Sequence, residues 1–214
     1  MKKTRLTKKT VLKIYSVVIA VVFALLILHD AVSHIVSFQR AGCTIEVFDA
    51  YGNAEISTNG VCYHRGLDLW TFRSLGKTDA NTLILVTHFF TSKDAVGLGV
   101  SDTPDIFFII THPVSLFYTV KGTTNTGETY MAVSPNIVSI SSSLDNKTVI
   151  IVTCKLPRIE EFAKALLEAG ARKVIITNTP TLDEGTIGFF VEKIVNIKDA
   201  DKLCSLPIFT CYSK

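Results

Sequence analysis

A chain of 214 residues, 48% hydrophobic, with 22 Lys and Arg against 19 Asp and Glu and a positive mean hydropathy, is neither disordered nor collagen-like. Seven basic side chains and one acid lie in residues 1–40, a net +6, leaving fifteen bases and eighteen acids, a net −3, in residues 41–214. The larger part is mildly acidic, which argues against a nucleic-acid-binding domain.

Lys2, Lys3, Arg5, Lys8, Lys9 and Lys13 precede an uncharged run from Ile14 to Leu28. Helical from Val11 to Val32, this segment spans about 33 Å, close to one hydrocarbon core. Six cations ahead of it, against Asp30 and Arg40 behind it, put the N-terminus in the cytoplasm and the rest of the chain outside the cell. The alternative is a signal peptide cleaved near Ala31-Val32-Ser33, which makes the remainder a secreted protein. Residues 1–40 thus read as a basic N-terminus with a transmembrane signal anchor. Residues 41–214 read as one exported domain under both alternatives.

Cys43, Cys62, Cys154, Cys204 and Cys211 all fall in the exported part, an odd number where thiols tend to pair. Four lie near the two ends of the domain and Cys154 in its middle. Two disulfides among those four are expected, with Cys154 left over; five buried reduced thiols are the alternative. No Cys/His spacing of zinc type occurs, so no metal is expected, and no glycine-rich nucleotide loop is present.

In chain order, Thr44–Asp49 reads as a strand or hairpin arm, turning at Tyr51-Gly52-Asn53-Ala54. Val61–Leu75 reads as a helix ending at Gly76, with His64 and Trp70 on its packed face. Thr82–Thr87 is a short apolar run rich in branched residues, the pattern of a strand buried on both faces. A Gly/Asp/Ser-rich loop at residues 92–104 precedes strands at Asp105–Thr111 and Ser115–Val120, joined through His112-Pro113. A polar loop follows at Lys121–Thr129. Asn146-Lys147-Thr148 is a glycosylation sequon. Val149–Thr153 is a second buried strand and leads into a helix from Arg158 to Ala169, with Ile159, Phe162 and Leu166 on one face and Gly170 as its stop. Val174–Thr177 completes a βαβ unit with a parallel strand pair. A helix from Glu184 to Ile194 and an edge strand ending at Cys211 complete an α/β domain.

In open parallel sheets, functional groups gather beyond the carboxyl ends of the strands. His88 directly follows the first buried strand and Cys154 the second. If those strands are neighbours, an imidazole base meets a thiol nucleophile, and the helix N-terminus after Cys154 favours the thiolate. By spacing alone, a core-filling cysteine and a hydrogen-bonded structural histidine are the commoner readings of such residues.

The segment KTVIIVTCKLPRIEEFAKALLEAGARKVIITNTPTLDEGTIGFFVEKIV (147–195), together with NTLILVTHFF (81–90) and YMAVSPNIVSI (130–140), resembles the CHAT domains. These are caspase-like cysteine peptidase domains of the caspase, separase and gingipain superfamily. In that pattern an apolar strand ends in the nucleophilic Cys, a helix ends in a turn like Ala169–Arg172, and a strand, an acidic turn and an aromatic-bearing helix follow. The likeness covers roughly residues 81–195, with His before Cys. It implies a three-layer caspase-like fold with a mostly parallel central sheet, preceded by the transmembrane helix. It also implies Cys154 as nucleophile, His88 as base, an oxyanion hole from the backbone N–H groups of Phe89 and Cys154, a peptide or protein substrate and no cofactor. Asp183 falls at the acidic turn and is assigned to the substrate pocket. Asp183 or Asp49 would favour a basic substrate side chain, and each also reads as a solvated turn residue. Asp94 and Asp102 are candidates for orienting His88.

This chain departs from the family at three places. Phe89 stands where the family has Gly after the histidine, Thr153 where it has Ala before the cysteine, and Leu156-Pro157 where it has a Gly shortly after it. A membrane-anchored, outward-facing cysteine peptidase is the first function implied. A catalytically inactive caspase-like surface domain, acting in binding or assembly, is the second, and an unrelated α/β sensor or binding domain the third.

Overall fold

A run of apolar residues without charges satisfies its backbone polar groups internally by forming a helix. The first element, α1, spans Lys8–Ser37, 30 residues and about 45 Å at 1.5 Å per residue. Its Lys8–Leu26 stretch has a mean hydropathy of 2.1, with none of it buried. Length and composition suit a membrane span or a signal sequence. The computed structural model describes residues 8–37, 42–52, 56, 58–91, 96–101, 119–123, 129–141, 143–154, 157–180 and 183–214. The chain divides between Gln39 and Arg40 into two compact units.

In the second unit, the branched apolar runs form a central sheet. Its strands are β1 (Ile45–Asp49), β2 (Val61–Arg65), β3 (Thr82–Val86), β8 (Thr148–Val152), β9 (Lys173–Thr177) and β10 (Phe209–Ser213). They lie in the order β10-β9-β8-β3-β1-β2, all parallel except the antiparallel edge strand β10. β1 and β8 are buried along their whole length, as expected of strands covered on both faces. Ile45, Val47, Ile84, Val86, Ile150, Val152 and Ile175 form one core with Ile187, Phe190, Val191, Ile194 and Val195 of α4 (Glu184–Ile197) and Leu203 of α5 (Ala200–Cys204). Alternate residues such as Leu83, Leu85, Val149 and Ile151 point the other way and are equally buried. α3 (Glu160–Glu168) buries Phe162, Ala163 and Leu166, none of which joins the first core.

A smaller antiparallel sheet is inserted between β3 and β8. It consists of β4 (Phe89–Thr91), β5 (Val96–Val100), β6 (Thr119–Thr123) and β7 (Thr129–Val133), in the order β4-β5-β7-β6. A 3-10 turn, Pro135–Ile140, leads from it toward β8.

Several expectations require correction. Residues 61–75 are not one helix: β2 occupies Val61–Arg65, the chain turns at Gly66 with φ +101°, and the short helix α2 spans Leu69–Ser74. The Asp68 side chain starts α2 by accepting the Thr71 N–H at 2.6 Å. His64 therefore lies on a strand, stacked on Phe48 with ring centroids 4.6 Å apart and Nε2 3.2 Å from Glu46 Oε2. β1 is no hairpin arm, because it runs parallel to β2. The expected loop at 92–104 contains β5, with sequence VGLGV, because Gly97 permits an approach that a side chain forbids. A Cβ there would sit 2.8 Å from the Ala132 Cβ. The expected loop at 121–129 contributes Lys121–Thr123 to β6 and Thr129 to β7, which pair in register. The expected strand Asp105–Thr111, His112-Pro113, Asp94 and Asp102 lie outside the described residues.

The cysteines pair as Cys43–Cys62 and Cys204–Cys211, each with Cα atoms 5.7 Å apart, and Cys154 stays outside both disulfides. At the opposite end of the sheet from Cys154, the buried Lys147 ammonium donates to the carbonyls of Thr78 (2.6 Å) and Ala80 (2.7 Å). Burial pushes its pKa below the ordinary lysine value, and the nearby Glu46 and Asp79 charges pull it back up. The middle residue of the sequon is thus a structural clamp. Asn146 beside it is exposed at φ +60°.

Candidate active site

The site is set by the pairing of β3 with β8. Their parallel register places Val86 opposite Val152, and the Thr87 N–H donates to the Val152 carbonyl at 3.1 Å. Two residues beyond this last pair, one chain reaches His88, whose carbonyl is held by Gly99, and the other reaches Cys154. The strands that end in His88 and Cys154 are therefore neighbours, the condition under which a thiol and an imidazole can meet. At the ends of the two strands, Val86 and Val152 face the core formed with α4 and α5.

Both backbones are clamped just before these residues, in each case by a threonine at a strand end. Thr87 Oγ1 donates to the Gly99 carbonyl at 2.5 Å, and the Gly99 N–H donates to the His88 carbonyl at 2.7 Å. On the other side, Thr177 Oγ1 accepts the Thr153 N–H at 2.9 Å and donates to the Thr153 carbonyl at 2.5 Å. Cys154 itself bridges to Thr179 in parallel pairing and is half-buried. The three buried runs TLILVT, VIIVT and VIIT all end in Thr, so a signal for Thr87 and Thr177 was present in the sequence.

His88 is solvent-exposed on one side and meets the Tyr51 ring on another, edge-on, with centroids 4.3 Å apart and planes at 78°. Burial against the protein lowers its pKa from the ordinary 6.5, because the imidazolium loses water. The imidazole is consequently neutral at pH 7, the form that accepts a proton.

Phe89 opens β4, where it pairs with Leu98. Since His88 and Gly99 form a hydrogen-bonded pair, the next pair, Phe89 with Leu98, is of the open kind, whose N–H groups point away from each other. β5 therefore leaves the Phe89 N–H unused. The Phe89 side chain is 5% exposed and packs edge-on against Phe162 of α3, centroids 6.4 Å apart. A positive φ is not required there, as none is found. The Phe89 side chain thus belongs to the core on the α3 side. Thr153 is fully buried, and its Oγ1 has no hydrogen-bond partner among the described residues.

α3 begins at Glu160, six residues after Cys154, with Glu160 and Glu161 in its first turn and the Arg158 guanidinium bonded to Glu161 at 2.6 Å. Two carboxylates at this helix start offset its positive potential. Asp183 is exposed and caps α4, its Oδ1 accepting the Thr186 N–H at 2.7 Å. Hydrogen bonds from Thr186 hold its pKa below the usual carboxylate range. Asp49 is no solvated turn residue: it is fully buried at the end of β1. Its Oδ2 accepts the Tyr63 hydroxyl at 2.7 Å and its Oδ1 the Tyr51 N–H at 2.9 Å.

Among the described residues, no three His, Cys, Asp or Glu side chains converge on a metal-sized site. A groove of about 580 Å³ between the 3-10 turn and α3 is lined by Pro135, Val138, Ser141, Lys164 and Glu168, and by neither His88 nor Cys154. No family model matches this sequence, and no curated protein is significantly similar to it.

Proposed function

We propose that the chain is a membrane-anchored, outward-facing cysteine peptidase of the caspase-like, CHAT type. The observation that carries this reading is the pairing of β3 with β8, neighbouring parallel strands whose carboxyl ends lead within two residues to His88 and to Cys154. The order of elements around Cys154 supports it as well. A buried strand, a helix stopped at Gly170, another buried strand, the acidic cap Asp183 and the helix bearing Phe189 and Phe190 follow one another as in the resembled family. Two disulfides and an apolar N-terminal helix support an extracellular position for the domain.

In this reading, neutral His88 takes the Cys154 proton and the thiolate Sγ attacks the scissile carbonyl carbon, while the N–H groups of Phe89 and Cys154 face the developing oxyanion. The imidazolium then returns its proton to the leaving amine, and a thioester remains on Cys154. Neutral His88 next draws a proton from water, which hydrolyses the thioester and restores the thiol.

The test is labelling of the purified chain by peptidyl electrophiles with acidic, basic or apolar terminal residues. Cys154 should be captured at least about a hundredfold faster than in His88→Ala, with one terminal class preferred. Capture no faster than that of a simple thiol would favour the inactive surface domain, the reading to which the buried Phe89 side chain lends weight.

A further inference from the structure

We infer that Tyr51, fixed by the buried carboxylate of Asp49, is the positioning residue of His88, the ring that sets how the imidazole faces Cys154. The consequence at Cys154 rests on the peptidase reading; the orientation of His88 does not.

The argument begins at the end of β1. A fully buried carboxylate is tolerated only where hydrogen bonds replace its water. Here the donors are the Tyr63 hydroxyl and the Tyr51 N–H. The Asp49 carbonyl also accepts from Gly66 at 2.7 Å and from Gly52 at 3.2 Å. Asp49 therefore closes a turn with its own side chain, and Gly52 completes it at φ +73°. An apolar residue would fill the same space without the desolvation cost. What the carboxylate adds is a fixed Tyr51 backbone.

The turn is also tied to the histidine strand, because the Ala50 N–H donates to the Val86 carbonyl at 2.9 Å. Tyr51 and His88 thus hang from one anchor, with the His88 backbone held separately by Gly99. What remains to be set is rotation of the imidazole about its side-chain bonds. The edge-on Tyr51 ring at 4.3 Å limits that rotation and shields one side of the ring from water. Of the titratable groups, Tyr51 meets the imidazole directly, and Asp49 lies behind it, bonded to the Tyr51 N–H and the Tyr63 hydroxyl.

The experiment follows the His88 ring protons by NMR through a pH titration of the 214-residue chain in detergent micelles, alongside the pH profile of Cys154 alkylation by iodoacetamide. Tyr51→Phe keeps the ring and should leave both unchanged. Tyr51→Ala should raise the His88 midpoint toward 6.5 and slow alkylation roughly tenfold, the effect of a misplaced base. Tyr51→Leu, which keeps bulk without an aromatic edge, serves if the alanine variant does not fold, and should move both readouts the same way. A folded Ala or Leu variant whose His88 midpoint stays at the wild-type value overturns the inference. If alkylation of the wild type proves indifferent to His88→Ala, the peptidase reading fails while the titration still decides the role of Tyr51.

Discussion

At the scale of single residues, the candidate site is governed by hydroxyls and rings that flank His88 and Cys154. Thr153 is the clearest case, because its hydroxyl is buried without a hydrogen-bond partner among the described residues while its backbone is held by Thr177. Thr153→Val keeps the shape and removes that hydroxyl. It should raise stability by about 1 kcal/mol in urea unfolding, since an unsatisfied buried polar group is relieved. His88 provides a pH signature. Its folded-state pKa lies below the unfolded 6.5, so the unfolded chain binds the proton more readily between those two values. Stability should therefore fall as pH drops below about 6.5 and level off below the folded-state value, and His88→Gln should lack this component when unfolding midpoints are compared from about pH 7.5 to about pH 5. His88 and Cys154 were legible in the sequence as residues ending apolar runs. Tyr51 was not, since its importance depends on a contact across two strands that nothing in the local sequence Asp-Ala-Tyr-Gly announces.

Among the elements, β5 shows how spacing rules misread glycine. VGLGV has the composition of a loop, yet it lies fully buried between β4 and β7. Gly97 sits where an added Cβ would meet Ala132 at 2.8 Å and Val120 at 2.9 Å. Gly97→Ala should destabilise the domain by about 1 to 3 kcal/mol in thermal or denaturant unfolding, through overpacking of the small sheet. Gly99 is the milder position, with its added Cβ in ordinary contact with His88 Cβ at 3.4 Å. The smaller sheet thereby supports the carbonyl side of His88. In β2, by contrast, Val-Cys-Tyr-His-Arg was hidden by the helix-compatible residues after it. Gly66 and the Asp68 cap mark the true boundary, and both signals were present in the sequence.

For the whole molecule, the two readings of α1, retained anchor or cleaved signal sequence, make different predictions. Retention predicts a species of 23.5 kDa that stays in the membrane pellet through alkaline carbonate extraction. Cleavage near Ala31-Val32-Ser33 predicts a smaller, soluble species instead, and mass spectrometry of its first residue distinguishes the two. Protease added outside intact cells should digest the domain after Arg40 and spare the basic N-terminal segment if the positive-inside orientation holds.

Local chemistry determined much of this protein from sequence alone. The N-terminal apolar helix, the branched strands at Thr82, Thr148 and Lys173, α3 stopped at Gly170 and the separation of Cys154 from the other cysteines all follow from periodicity, propensity and position. Only the tertiary structure decided which strands are neighbours, that Asp49 is buried, that Phe89 turns its ring toward Phe162, and that Thr177 clamps Thr153. The physical reason is that strand order and register are long-range choices made by burying two faces of one sheet. A residue's neighbours across that sheet, unlike those along its own strand, leave no periodic trace in the sequence.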